Sequence, residues 1–156
     1  MLLLPICMVA QELKIAFVNS NDIISSMPEI TAMQNELEAL RNSYQKDLKS
    51  MNDEYEKKMS DYISQKDSLP ENILMNRVQD IQDLQGRMEI LQQAAVKDID
   101  SKQNELFEPI LDKVRKAIEQ VGEENDYTIF DSSAILAKGK GVIDATDKVR
   151  AKLGLK

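Results

Sequence analysis

Apolar residues recur at helical spacing between residues 30 and 62: Ile30, Met33, Leu37, Leu40, Tyr44, Leu48, Met51, Tyr55, Met59 and Tyr62. These are nine steps over 32 residues, a mean of 3.56 per step. That is the period of an α-helix with one apolar stripe. Pro28-Glu29 reads as its start, because proline is tolerated in the first turn and glutamate suits the positive end of the helix dipole. The run from Asp67 to Asn72, which contains Pro70, interrupts the pattern. A second series then follows: Val78, Ile81, Leu84, Met88, Leu91, Ala95, Ile99, Leu106, Ile110, Val114, Ala117 and Val121. It predicts one helix over residues 71–124. If the chain reverses at Pro70, facing residues should have a constant summed number. Tyr62–Val78, Met59–Ile81 and Ile30–Ile110 each total 140, and Tyr55–Leu84, Met51–Met88, Leu48–Leu91, Tyr44–Ala95, Leu40–Ile99 and Met33–Leu106 each total 139. Leu37 meets Gln103, the one polar exception. The register predicts a long antiparallel helical hairpin with its tip near residues 67–72. Pro109 falls inside the second helix opposite Ile30, where loss of a ladder bond predicts a kink at the base of the arm.

The two chain ends carry strand patterns instead. Residues 13–18 form one candidate strand, followed by a short helix through Ile23, Ile24 and Met27 with Asp22 or Ser20 as its cap. Tyr127–Phe130 is a second strand, Ser133–Ala137 a third, and Val142-Ile143 another after the turn at 138–141. Residues 144–147 open a last amphipathic helix bearing Val149 and Leu153. The fold class is therefore α+β, mainly α: a hairpin arm over residues 28–124 and a small β-rich body from residues 11–27 and 125–156. Three or four short strands cannot close a sheet, and open edges invite pairing. Sharing the body between protomers would bury Ile15, Phe17, Ile129, Phe130, Ile135 and Val142, which predicts an oligomer.

Composition narrows the function. The 156 residues include no His and no Trp, and aromatics make up 4%. Without histidine there is no Ser-His or Cys-His nucleophile and no histidine metal site. No cofactor, no metal and no catalysis are expected. Lys138-Gly139-Lys140-Gly141 is a glycine turn, because it lacks the spacing and the Ser/Thr of a phosphate-binding loop. With 20 Lys/Arg against 27 Asp/Glu the net charge is −7. A nucleic-acid binder usually carries the opposite excess.

Residues 1–10 are apolar and uncharged, and Gln11-Glu12 begins the polar chain. The run is too short to span a bilayer. It reads as the remnant of a signal peptide cut near Ala10, which implies export, although the basic start of such a signal is missing. Ile6 before Cys7 does not fit a lipoprotein site. Cleavage would leave a chain without cysteine, held by packing alone.

Several segments together resemble one known family. They are Lys14-Ile15-Ala16-Phe17-Val18-Asn19, Pro28-Glu29 leading into the coil, Tyr127 through Leu136, and Val142 through Val149 with Asp144, Thr146 and Val149 in an Asp-x-Thr-x-x-Val ending. Over about residues 13–154 the sequence resembles the Skp/OmpH family of periplasmic chaperones. The resemblance implies a homotrimer whose strands form a central β body. Three helical arms would project from it and hold unfolded outer-membrane proteins in the cavity between them, without ATP. Family members are often strongly basic. Here residues 28–124 hold 13 Lys/Arg against 21 Asp/Glu. That net of −8 weighs against a lipopolysaccharide site or steering to anionic membranes, and favours basic clients or segments.

A holdase needs apolar surface diluted enough to stay soluble. Met33, Met51, Met59 and Met88 lie on the predicted seam, where a core role suffices. Ile63, Leu69, Ile73 and Met75 near the tip, with Ile90 and Val96 midway, lie off the seam and are the candidate client-binding residues. Two alternative readings use the same architecture: a prefoldin-like cytosolic chaperone, and a coiled-coil spacer or adaptor with one dedicated partner.

Overall fold

The computed structural model of the chain describes residues 13–155. The apolar segment 1–10, with Cys7 and the expected cleavage point, lies outside the described residues. The chain divides into two compact units, one holding the residues up to Ile30 together with those from Glu108 onward, the other Thr31–Phe107.

The first unit is organised around β1 (Lys14–Val18). It lies between β2 (Tyr127–Asp131) and β3 (Ile143–Asp144) in the order β2-β1-β3. Both pairings are parallel, with Lys14 opposite Tyr127, Phe17 opposite Phe130 and Ala16 opposite Ile143. Parallel neighbours need a long crossover, and here the long helices supply it. The central strand buries Ala16, Phe17 and Val18.

Short helices cover one side of this sheet. In α1 (Ser20–Ser25) Ile23 is buried, and Met27 is buried just beyond it. The helix α4 near the C-terminus (Thr146–Lys152) packs against α1 and β1 and buries Val149, with Ala145 buried at its start. Arg150 ties the two helices through Asp22 at 2.8 Å, and the Asn19 N–H donates to Thr146 Oγ1 at 3.1 Å.

Two local expectations are corrected. The cap of α1 is Asn19, whose Oδ1 accepts the Asp22 N–H at 3.1 Å, and not Asp22 or Ser20. Ser20 is engaged elsewhere: both its N–H and its hydroxyl donate to Asp131 Oδ2. The expected strand at Ser133–Ala137 is a 3₁₀ turn over Ser132–Ala134 instead, with no strand across 135–137. Asp131 is again the reason. Its Oδ1 accepts the Ser133 N–H at 2.8 Å and the Ser133 hydroxyl. An aspartate bonding backbone two residues on competes with strand pairing.

The long helices are α2 (Pro28–Gln65) and α3 (Glu71–Asn125). Between them Ser68 donates back to the Gln65 carbonyl, and the Pro70 carbonyl accepts from Ile73 and Leu74 to start α3. Helix α3 runs unbroken through Pro109. It leaves into β2 through Asp126 at φ 55, a left-handed conformation that aspartate tolerates better than most side chains.

Asp131 makes a testable pH signature. Hydrogen bonds from Ser133, then from Ser20, hold its carboxyl down to about 2 from an ordinary 3.8. A carboxylate depressed in the folded state stabilises above its unfolded pKa and loses that contribution as pH falls through the folded value. Stability should therefore drop between pH 4 and pH 2. Asp131→Asn should be less stable at neutral pH and should lack that part of the slope. Urea midpoints of both proteins at pH 7, 4 and 2.5 check this; parallel pH profiles would contradict it.

Candidate functional site

Within the second unit, the two apolar series form one seam. Every residue of both series there is buried or half-buried, with Leu37, Ile81 and Ala95 buried and Leu84 fully so. Polar bonds between α2 and α3 mark the same register. The Tyr44 hydroxyl donates to Asp98 at 2.5 Å, Gln85 Nε2 donates to the Tyr55 hydroxyl at 3.0 Å, and Lys102–Glu36 and Lys58–Asp80 pair at 3.0 and 4.0 Å. Their residue numbers total 142, 140, 138 and 138, around the 139–140 of the apolar pairs. In each pair at least one partner is exposed, so the pairs contribute little energy; their value is in showing alignment. The bond to Asp98 pushes the Tyr44 phenol pKa up, and the Glu36 and Glu105 carboxylates raise that of Lys102. Gln103, expected opposite Leu37, is exposed; Lys102 beside it is half-buried. A lysine stem can cover apolar surface while its ammonium stays wet.

Apolar residues off this seam have no partner helix. Ile63, Met75, Ile90 and Val96 are 58–68% exposed, Ile73 is 38% exposed and Leu69 is half-buried. They do not form one patch. Ile63 lines an open recess on α2 with Tyr55 and Met59. Ile73 and Met75 occupy the first turns of α3. At 100° per residue, Met75 and Ile90 share a face of α3, while Val96 lies about 120° round from Ile90. No helix among the described residues is long and apolar enough to cross a membrane.

The six residues expected at a shared body separate similarly. By strand alternation and register, Ile15, Phe17 and Phe130 lie on one face of the sheet. Ile15 and Phe130 are exposed. Phe17 is only 7% exposed, with Lys138 Nζ 3.3 Å from its ring centre, a cation–π contact. Ile129 points to the other face, towards the last turns of α3. A Cβ on Gly122 would stand 3.4 Å from the Tyr127 carbonyl oxygen and 3.7 Å from Ile129 Cδ1, ordinary contact distances that place the end of α3 against this face. Ile135 and Val142 are half-buried. Leu136, absent from the expected set, is fully exposed. Reading 133–137 as a strand hid it, because alternation there picked out Ile135.

The family model described as outer membrane protein (OmpH-like) matches residues 14–153. A solved structure of a candidate outer membrane chaperone (OmpH-like) from Caulobacter crescentus CB15 matches with a TM-score of 0.80 and 15% identity, over 90% of this chain and 83% of that one. At that identity the likeness is one of fold. No curated protein matches the sequence.

Seam and off-seam positions make opposite predictions for stability. Leu84 is 0% exposed. Leu84→Ala should cost about 2–5 kcal/mol, the range for a deleted buried leucine side chain. Ile90→Ser should stay within about 0.5 kcal/mol, as for exposed substitutions generally. Urea unfolding of the two variants checks the contrast. Equal losses would mean that the face of Ile90 is part of the core.

Proposed function

The chain belongs to the OmpH-like outer membrane protein family, and from that premise we propose that it is an ATP-independent periplasmic holdase for unfolded outer-membrane proteins. One observation carries the reading: Ile63, Met75, Ile90 and Val96 stand exposed on a hairpin whose fold does not use them. Such residues offer weak, sequence-tolerant contacts, and methionine adapts its shape best. A charged arm keeps them soluble while they are empty. Binding by several arms at once would supply avidity that no single contact could. The function requires no catalytic group, cofactor or nucleotide.

The assembly that fits this role is a homotrimer. The sheet face bearing Ile15, Phe17 and Phe130 is the apolar surface that neighbouring copies would cover, and the half-buried Ile135 and Val142 would lose their remaining exposure with it. Its arms would enclose the client, and the apolar opening segment would direct export and be removed near Ala10. The acidic arms favour basic stretches of client over lipopolysaccharide or anionic membrane.

Pro109 would let each arm bend at its base. It has no N–H to offer the Glu105 carbonyl, which weakens the helix locally. Pro109→Ala should narrow the distribution of particle dimensions in small-angle scattering, with and without client. Unaltered scattering would remove the hinge from the mechanism.

The main test replaces Ile63, Ile73, Met75 and Ile90 together by serine. Aggregation of an unfolded β-barrel protein is followed by light scattering, with the chaperone's mass in solution measured alongside. Suppression should fall several-fold while mass and helicity stay those of the wild type. Undiminished suppression by an intact trimer would sink the client-binding assignment. A wild type that suppresses nothing but captures one dedicated partner would be a spacer or adaptor.

A further inference from the structure

We propose that the outward face of α3 from Met75 to Gln93 is a rail that grips one extended, cationic stretch of polypeptide through its backbone. The proposal rests on the holdase reading above and names the chemistry of the grip. Met75, Gln79, Gln82, Gly86, Ile90 and Gln93 follow one another at spacings of 4, 3, 4, 4 and 3 residues. At 100° per residue they lie along one face. It is the face away from the seam, where Ile81, Leu84 and Leu91 are buried or half-buried. None of the six is charged, in a chain of which 30% is. All are exposed except Gly86, which is half-buried. A solvated face would ordinarily carry the charges that keep an arm soluble, and this one does not.

Gly86 breaks a local rule without a packing reason. Glycine is the poorest helix former after proline. Yet no atom lies within 4 Å of where its Cβ would stand, so alanine would fit. What the missing side chain does provide is room. Gly86 forms part of the lining of an open groove of about 610 Å³, together with Gln82, Asp83, Arg87 and Ile90, which extends to Lys58 and Asp80.

The groove and the amide row suit an extended backbone. A primary amide both donates and accepts, so glutamine can bond a peptide group whatever side chain that residue carries. Gln79 Nε2 already donates to Asp83 Oδ1 at 2.8 Å, which orients its amide and leaves its oxygen as an acceptor. Met75 and Ile90 would take apolar side chains, and the bare α-carbon of Gly86 lets the bound chain approach the helix closely. Eighteen residues of helix span about 27 Å. An extended chain covers that in about eight residues.

Charge selects the occupant. Residues 31–107 contain 15 Asp/Glu and 10 Lys/Arg. Beside the rail stand the carboxylates of Asp80, Asp83 and Glu89 against the cations Arg87 and Lys58, the latter paired with Asp80 at 4.0 Å, so the local balance is acidic by one; Lys97, four residues past Gln93, closes its end. Lysine- or arginine-bearing segments are therefore drawn to it and acidic ones are repelled.

The test uses the full chain and two labelled octapeptides of alternating valine and threonine, one with two lysines and one with two glutamates. Fluorescence anisotropy should show the lysine peptide binding at least fivefold tighter, with the preference shrinking as salt rises. Gly86→Leu fills the groove while improving helix propensity. It should weaken the lysine peptide at least tenfold with Tm unchanged or raised, a combination that a merely structural glycine would not produce. Gln82→Ala with Gln93→Ala should weaken it at least fivefold. Wild-type affinity in Gly86→Leu, or equal binding of the two peptides, would overturn the rail. If the wild type still suppresses aggregation in that case, the holdase reading stands without it. If the wild type suppresses no aggregation and binds neither peptide, both readings fall.

Discussion

The long seam between α2 and α3 is the constraint on which the rest of the molecule depends. Each helix has one apolar stripe and one partner, so register is set by distance from the turn at residues 66–70. A slip by one residue would rotate every seam residue by about 100° and bring charge into the interface. The seam also fixes what remains outside. Two helices side by side cover only a narrow strip of each other, and any apolar residue beyond that strip meets water. Exposure of Ile63, Met75 and Ile90 is thus a consequence of the architecture.

The same crossover explains the parallel sheet. Because α2 goes out and α3 returns, the chain re-enters beside its own beginning, and β2 can align with β1 in the same direction. The three strands are too short to stand unsupported. The side bearing Ala16 and Val18 is closed by α1 and α4, which Asp22–Arg150 and Asn19–Thr146 fasten together. Asp131 then joins the end of β2 to the start of α1 through Ser20 while shaping the following turn through Ser133. One carboxylate thereby accepts bonds from a segment 111 residues away in the chain and from its own turn. Its depressed pKa is the electrostatic trace of that double duty.

Helical periodicity made the seam legible residue by residue, because a repeat sustained over many turns averages out local exceptions. The one polar exception, Gln103, went the way physics prefers: it faces water, and the neighbouring lysine lies partly buried. Short elements were harder to read. Ser133–Ala137 has strand-like composition, but composition carries no information about a side chain two residues upstream that captures the Ser133 N–H. The cap of α1 was misplaced by the same kind of local competition, since Ser20 is drawn to Asp131 and leaves Asn19 to cap. Of the candidate surface, exposure of the off-seam residues was readable from their phase against the stripe. The neutral row through Gly86 was equally present in the sequence, but it appears only when the charged positions, and not the apolar ones, are placed round the helix. The contact of Lys138 with Phe17 had no sequence signal, because it depends on how a glycine-bearing turn lies against β1.

The separation of seam from outer faces has a consequence for how such a protein can vary. Substitutions at distant positions without shared partners add nearly independently, and exposed helix positions tolerate change at small cost. A hairpin therefore keeps its fold so long as two stripes stay apolar and in register, whatever covers the other faces. This accounts for a TM-score of 0.80 at only 15% identity. It also leaves the outer faces free to carry a net negative charge, with 21 Asp/Glu against 13 Lys/Arg over residues 28–124. The seam is indifferent to the sign of the charge on the outer faces. The outer faces are thus surfaces that the fold does not constrain, which is why they can change without the hairpin having to be rebuilt.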